Sequence, residues 1–595
     1  MRRYGHAWAA RVAGFGLTIA AMTTSTADAQ SPSEVYDPYP PGIVPTDLLG
    51  EIDRVRHEIR SIFEQDLEEA EALGPISRAG NPPVLAGNGY DAMRLLGDLL
   101  NFDENMSVNG NQACGFCHMP YTGFSGPIPS VNLTMVGYPG SVHVRANNRT
   151  PMRYSYASKF PVLQYNEVQG DFFGGNFWDG RATGLETQNP NAEQASDPPV
   201  GAVEQGFPDS ACIAYRLSQA AYRNLFEAIW GAGSLDIAWP PTTEEICSTP
   251  AGAAVFGDDA TPVPLTPEQR TRSDTVFRHW GQTLSFYQSA ADVSPFTSKF
   301  DAYLAGNATL TDDELAGYKL FRGKGNCNSC HLDGVSTLLE DGQVDTGDLA
   351  AAEPLFTDFT YVNIGLPLNP RVALYYETTP DAYGFTPNPA GFGLRDLGVG
   401  NFLRSVNGVN PNTAWIALAP DFDGKMQVMT ARNAAMTPTQ CPTTEAGQVD
   451  GQGQPVPYFQ KGFFHNGYIK SLKQLVHFYN TRDLHAYPVT SGNCPAGTTE
   501  KVDCWPMPEV PNNMDTTIGD LGLSDQEEDQ IVAFLQTLTD GYTTPYPHQD
   551  AFAGTCQTGG SAATQGNETL IATPALPPCP PELCEVAPLP QPPIP

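Results

Sequence analysis

The sequence predicts a mainly α fold: two small helical modules joined by long irregular loops, with few short strands. Three observations predict it. Apolar residues recur at helical spacing in several separate windows. Two Cys-x-x-Cys-His units, Cys114–His118 and Cys327–His331, stand 213 positions apart. Glycine (57) and proline (54) are spread through the 595 residues, a share below the disordered range that points to many loops. A chain of this length is expected to hold several domains.

The elements follow in order. Residues 1–29 read as a secretory signal: Arg2 and Arg3 open it, Val12 to Met22 is apolar, and Ala27-Asp28-Ala29 offers small residues for cleavage. The apolar run is too short to remain as a permanent membrane anchor. Residues 30–90 form an N-terminal extension with one amphipathic helix over 51–73, carried by Ile52, Val55, Ile59, Ile62 and Phe63. A first module spans 91–295, with helical segments at 92–100, 211–231 and 266–290. A second spans 296–545, with helices at 311–323, at 470–480, and at 524–539 behind a Ser524 cap. Between them, 332–460 is weakly patterned and rich in Gly, Pro and Asn. The tail, 546–595, is Pro-rich and low in complexity, so no fold is assigned to it.

The two Cys-x-x-Cys-His units carry the chemistry. Thiols three apart on a helical turn lie on one face, where each can add to one vinyl group of a haem. The following histidine then sits under the iron. Cys114, Cys117, Cys327 and Cys330 are therefore expected to hold two covalent haem c groups, with His118 and His331 as proximal ligands. A zinc site would want a second Cys/His pair beside each unit, and none is near. Eight cysteines remain, an even number that suits disulfides in an exported, oxidising compartment, periplasmic or secreted. Cys212 with Cys247 and Cys494 with Cys504 are the natural local pairs; Cys441 could reach either cysteine of the second.

The formal charge is −34, and about −36 once the signal is removed. Such a surface repels phosphate backbones and anionic lipid heads, which argues against nucleic-acid and membrane-surface binding and suits a basic partner.

Several segments now point one way: Leu95–Asp103 before the first unit, Phe177-Trp178-Asp179-Gly180-Arg181-Ala182, Phe300–Gly306, Phe356–Phe359, Phe464-His465-Asn466-Gly467 and Leu523–Glu527. In these the chain resembles the bacterial di-haem cytochrome c peroxidase family, whose superfamily also holds the MauG-type enzymes and the haem rubber oxygenases. The resemblance implies that the second haem collects electrons from a small donor protein and that the first meets hydrogen peroxide. It implies that Trp178 lies between the haems. It also implies an acid–base Glu with a Gln ten residues before it, here Glu204 and Gln194, to move a proton between the peroxide oxygens. His143 is the candidate sixth ligand of the first haem, Met426 that of the second, with Met429 next in line. A calcium ion between the domains is implied near Asn147–Pro151, a stretch offset from the usual pattern. The chain is about 200 residues longer than a minimal member of the family, with expansions at 340–420 and after Asn433. That length leaves room for an oxidase or oxygenase acting on an organic or protein substrate, and a plain electron carrier is the third alternative. The donor and the oligomeric state, a dimer among the options, stay open.

Overall fold

The structure, a computed structural model, describes residues 48–544 apart from 80–83, 258–261, 336–352, 406–411, 437–461 and 485–493 and the positions 75, 87, 129–130, 133–134, 496 and 499. The signal segment, the Pro-rich tail and Cys441 lie outside the described residues. Among those described, helices dominate: α1 (Leu48–Ala72), α2 (Gly89–Phe102), α3 (Pro190–Ser196), α4 (Ala211–Gln219), α5 (Arg223–Trp230), α6 (Thr243–Cys247), α7 (Pro267–Ser289), α8 (Lys299–Leu304), α9 (Asp312–Arg322), α10 (Val399–Arg404), α11 (Leu472–Thr481) and α12 (Asp525–Gln536). The strands pair only as short antiparallel ribbons: β1 (Ser77–Ala79) with β2 (Val84–Ala86), β3 (Gln164–Asn166) with β4 (Asp171–Phe173), and β5 (Tyr361–Val362) with β6 (Met426–Gln427). No helix among the described residues is long and apolar enough to cross a membrane.

Local chemistry sets the helix starts. Thr266, Ser298, Thr311 and Ser524 each form a capping box with the side chain three residues on, satisfying otherwise unpaired amides at the first turn. The expected 211–231 helix is two helices, because Ala220 turns to an extended conformation and ends α4. The weakly patterned 332–460 region holds the short ribbon strands β5 and β6 and one helix the sequence did not reveal, α10.

One apolar core joins α2, α4, α5 and α7 around fully buried Trp280. A second joins α8, α9, α11 and α12 through Phe300, Tyr318, Phe321, Phe356 and Phe534. A third packs α1 against Phe116, Met119 and Tyr121, just beyond Cys114. In each of the two larger cores, the helix leading to a Cys-x-x-Cys-His unit crosses a later helix at a glycine. A Cβ on Gly97 of α2 would stand 2.3 Å from Tyr287 Cβ on α7. One on Gly317 of α9 would stand 1.8 Å from the Gln530 carbonyl oxygen on α12. The close crossings fix where each helix hands the chain to its cysteine turn.

Cys212 pairs with Cys247, tying α4 to α6, and Cys494 pairs with Cys504. The four cysteines of the two units are free.

Candidate functional site

Both units fold alike. Cys114–Phe116 and Cys327–Ser329 are single tight turns, and each histidine closes its turn by donating its amide to the first cysteine (His118 N to Cys114 O, 3.0 Å; His331 N to Cys327 O, 2.9 Å). Each ring is then held from behind. His118 Nδ1 meets the Phe124 carbonyl at 2.9 Å, and His331 Nδ1 meets the Phe356 carbonyl at 3.0 Å. Both phenylalanines take left-handed backbone angles (φ 62° and 52°), which turn their carbonyls toward the imidazoles. With Nδ1 engaged as donor, Nε2 is the nitrogen that can face a metal. Burial pushes the Cys114 and Cys327 thiols up to about 12 and raises Cys117 and Cys330, so all four are neutral thiols poised for addition rather than thiolate ligands.

Around the second unit lies an apolar cavity of about 240 Å³. Cys327, Cys330 and His331 form one wall, with Phe321, Leu472, Val476 and Ile531 around them. Met426 and Met429 reach it from the β6 segment. The Met429 backbone meets the His331 ring, so Met429 belongs to the histidine side of the cavity. Two further side chains enter that the sequence reading did not single out. One is Tyr479 on α11; burial raises its hydroxyl and the nearby Cys330 and Cys327 raise it further. The other is His465, buried, whose Nε2 has no hydrogen-bond partner. His465 stands in a segment quoted for the resemblance, and that was its only sequence signal.

The first unit is lined by Tyr138, Tyr154 and Tyr222. Tyr154 lies over the His118 ring (centroids 4.8 Å), and Tyr222 donates to Asp103 (2.7 Å). Glu204 belongs to this unit. Its charge acts on both Cys114 and Cys117, and its carboxylate accepts from Asn147 Nδ2 at 3.0 Å. Backbone bonds hold it there: Glu204 N to Gly201 O (3.0 Å), Ser141 N to Glu204 O (2.7 Å) and Val108 N to Gln205 O (2.9 Å) stitch its turn to the segments flanking the cysteines. Burial pushes the Glu204 carboxyl up to about 7, nearby Asp197 adds to the rise, and Arg181 and the Asn147 bond offset part of it. A carboxyl balanced near neutrality can take and return a proton.

Gln194 is half-buried on α3, within the turns that follow the Asn189 cap. His143 is half-buried, with Asn111 donating to its Nε2 at 3.1 Å when the ring proton sits on Nδ1. Burial lowers the His143 ring, and Arg56 lowers it further.

Trp178 stands in the wall of the second cavity, its Nε1 donating to the Thr150 carbonyl (3.2 Å) and its ring 6.3 Å from that of His465. The residues around it link the two units. Arg149 spans Asp179 and Asp396, while Arg181 reaches Asp179 and Asp197, the acid that acts on Glu204. Burial alone would raise Asp396 and Asp179; the Arg149 guanidinium more than offsets it and holds both below the usual carboxylate range.

Residues 91–309 match the family model described as di-haem cytochrome c peroxidase. The chain carries a domain of the di-haem cytochrome c peroxidase family. It is similar to methylamine utilization protein MauG of Paracoccus denitrificans, at 29% identity over 455 residues that cover 76% of this chain and 89% of that protein. It is also similar to cytochrome-c peroxidase IdrP1 of Denitromonas iodatirespirans, at 25% identity over 489 residues, 80% of this chain and 88% of that one. The solved structure of the diheme peroxidase BthA from Burkholderia thailandensis superposes with a TM-score of 0.51 over 79% of this chain and 93% of that chain, at 21% identity, a likeness of fold.

A di-haem family member needs two haem c groups, and the residues fit them. Each unit offers two half-buried neutral thiols and one imidazole with its rear nitrogen tied down, and the second adds an apolar cavity. Calcium does not fit at Asn147–Pro151. The carboxylates of Asp179 and Asp396 beside it are already held by Arg149, and no group of three or more His, Cys, Asp or Glu side chains suited to a metal occurs among the described residues.

Proposed function

We propose that this chain is an exported di-haem c-type peroxidase, periplasmic or secreted, that reduces hydrogen peroxide to two waters, taking two electrons from a small basic redox protein and two protons from solvent. The observation that carries this reading is Glu204: a half-buried carboxyl balanced near pH 7 beside the first pair of haem-attaching cysteines. Haem, when bound, supplies the iron that binds peroxide and stores oxidising equivalents. The protein's own residues do the rest. Cys114, Cys117 and His118 hold the peroxide-facing group in 91–295, and Cys327, Cys330 and His331 hold the electron-collecting group in 296–545. Glu204 would take a proton from one peroxide oxygen and return it to the other, which would leave as water. Asn147 keeps that carboxyl aimed by donating to Oε1. Gln194, on the helix that leads into the Glu204 turn, completes the pocket. Trp178, in the wall of the second cavity, would shorten the path for electrons between the two groups. Met426, in the same wall, would supply the thioether that raises the second potential.

A second reading, an oxidase acting on an organic or protein substrate, draws support from Tyr479. A phenol oxygen facing the second group in place of a thioether would favour the oxidised metal and oppose collection of electrons from a high-potential donor. Mixing the purified holoprotein, pre-reduced at its second haem, with peroxide and a reduced basic cytochrome c separates the two. Oxidation of the donor in step with peroxide loss supports the peroxidase; peroxide consumed with no donor oxidised sinks it.

A further inference from the structure

The buried ion cluster beside Trp178 has a geometry of its own. Arg149 donates through Nε and Nη2 to the two oxygens of Asp396 (2.6 and 2.7 Å) and through Nη1 to Asp179 (2.8 Å). All three side chains are about nine-tenths buried, at 11%, 8% and 9% exposure. Asp179 follows Trp178 directly, and Asp396 lies in the wall of the second cavity. Thr150, the residue after Arg149, accepts the Trp178 indole N–H and donates its hydroxyl to the Phe464 carbonyl (2.7 Å). One short stretch therefore fastens the indole twice, once through its own nitrogen and once through its neighbour's carboxylate.

The same stretch is where the family resemblance led to calcium, and the carboxylate oxygens of Asp396 and Asp179 beside it are spent. Asp396 Oδ1 also accepts from the Gly398 amide (3.0 Å), and Oδ2 from Asn148 (3.3 Å). Asp179 also accepts from Arg181 on both oxygens at 3.2 Å. Asn147 Oδ1 accepts from the Asn148 amide (2.8 Å). Calcium asks for six to eight oxygens, about 2.4 Å away. Charge argues the same way. Two guanidiniums, Arg149 and Arg181, already stand among these carboxylates, with Asp197 as the second partner of Arg181. Their charge repels a divalent ion from the oxygens they hold.

We propose that Arg149 is the cation of this junction: a positioning residue that clamps the Trp178–Asp179 turn to Asp396, so that the protein needs no calcium to align its two haem-binding units. A guanidinium suits the task because its planar fork grips one carboxylate with two parallel bonds and keeps a third donor for another, which an ammonium cannot do. Its part in electron passage rests on the peroxidase reading above; its part as the junction cation does not.

The test uses the holoprotein. Calcium content is measured by elemental analysis, and the half-reduced optical and EPR spectra and the rate of electron redistribution between the haems are recorded before and after excess EGTA. The expected result is well under 0.1 calcium per chain and unchanged spectra and rate. Arg149→Lys should slow redistribution about tenfold and alter the half-reduced spectrum with both haems still attached. Arg149→Ala should be partly restored by millimolar guanidinium and not by calcium; if that variant does not fold, Arg149→Lys alone decides. Stoichiometric calcium, a spectrum changed by EGTA, rescue of Arg149→Ala by calcium, or an Arg149→Lys protein with native spectrum and rate would each overturn the proposal. A native protein that fails to turn over peroxide while calcium-free and EGTA-insensitive would strike the peroxidase reading and leave the junction cation standing.

Discussion

Replacing Glu204 with Gln should cut catalysis and strengthen the fold at the same time, and the two effects have one cause. Burial lifts this carboxyl from 4.5 to about 7. In the unfolded chain the group ionises near its ordinary value, so between about pH 4.5 and 7 the folded protein holds a proton that the unfolded chain has lost. Stability is unaffected below about pH 4.5, falls as pH rises through that window, and stays reduced above it. At about 1.36 kcal/mol per unit, a difference of roughly 2.5 units comes to about 3 kcal/mol. Gln cannot ionise, keeps a carbonyl oxygen for Asn147, and escapes that cost. The variant should therefore melt a few degrees above the native protein at pH 8 and together with it at pH 4. Turnover of peroxide should fall by about 10²-fold or more, the usual scale for a lost acid–base group. The native activity should also rise with pH around 7 as the base form appears, and that limb should vanish in the variant. Paired calorimetry and peroxide kinetics across pH 4–8 measure all three. A variant that keeps its turnover, or that is less stable than native at pH 8, refutes the reasoning.

Serine at both Cys114 and Cys117 should leave one haem per chain that resists extraction by acid acetone, and serine at all four unit cysteines should leave none; mass spectrometry of the denatured chain counts them. Met426→Leu should lower the potential of the second haem in a redox titration, and Tyr479→Phe should leave it within error; the reverse pattern assigns the axial position to the phenol. Breaking the Cys212–Cys247 link, which spans 35 positions, should cost about 3–4 kcal/mol by loop entropy and show as a lower melting temperature with both haems retained. Oxidation of a basic cytochrome c should slow steeply between 10 and 300 mM salt, since a chain of charge −34 steers its partner through long-range attraction that ions screen. A rate flat in salt would contradict that steering.

What the sequence disclosed was what depends on near neighbours. The cysteine turns and the Ser524 cap each depend on a few consecutive residues, so both were visible in the chain itself. The Cys212–Cys247 and Cys494–Cys504 pairs were legible because each is short in sequence. The junction was not. Asp396 lies 247 positions from Arg149, in a stretch with no periodic pattern, and only the folded chain brings them together. The splitting of 211–231 into two helices hinges on the backbone at Ala220, which apolar spacing does not report. Tyr479 was passed over because an aromatic residue on a helix reads first as core, and α11 does pack into one. His465 was seen only as part of a motif, and its role at the cavity wall needed the Trp178 ring beside it.

The crossings at Gly97 and Gly317 carry a warning for anyone who would toughen this molecule. Ordinary advice trades a mid-helix glycine for alanine and gains about 1 kcal/mol of helical preference. At these two places the extra methyl would collide with Tyr287 and with the Gln530 carbonyl, and the neighbouring rod would have to slide away. Each rod ends shortly before a Cys-x-x-Cys-His turn, so the slide would arrive there as a tilt. The swap that looks safest on paper would thus be felt as a shifted Soret band before it was felt as a changed melting point.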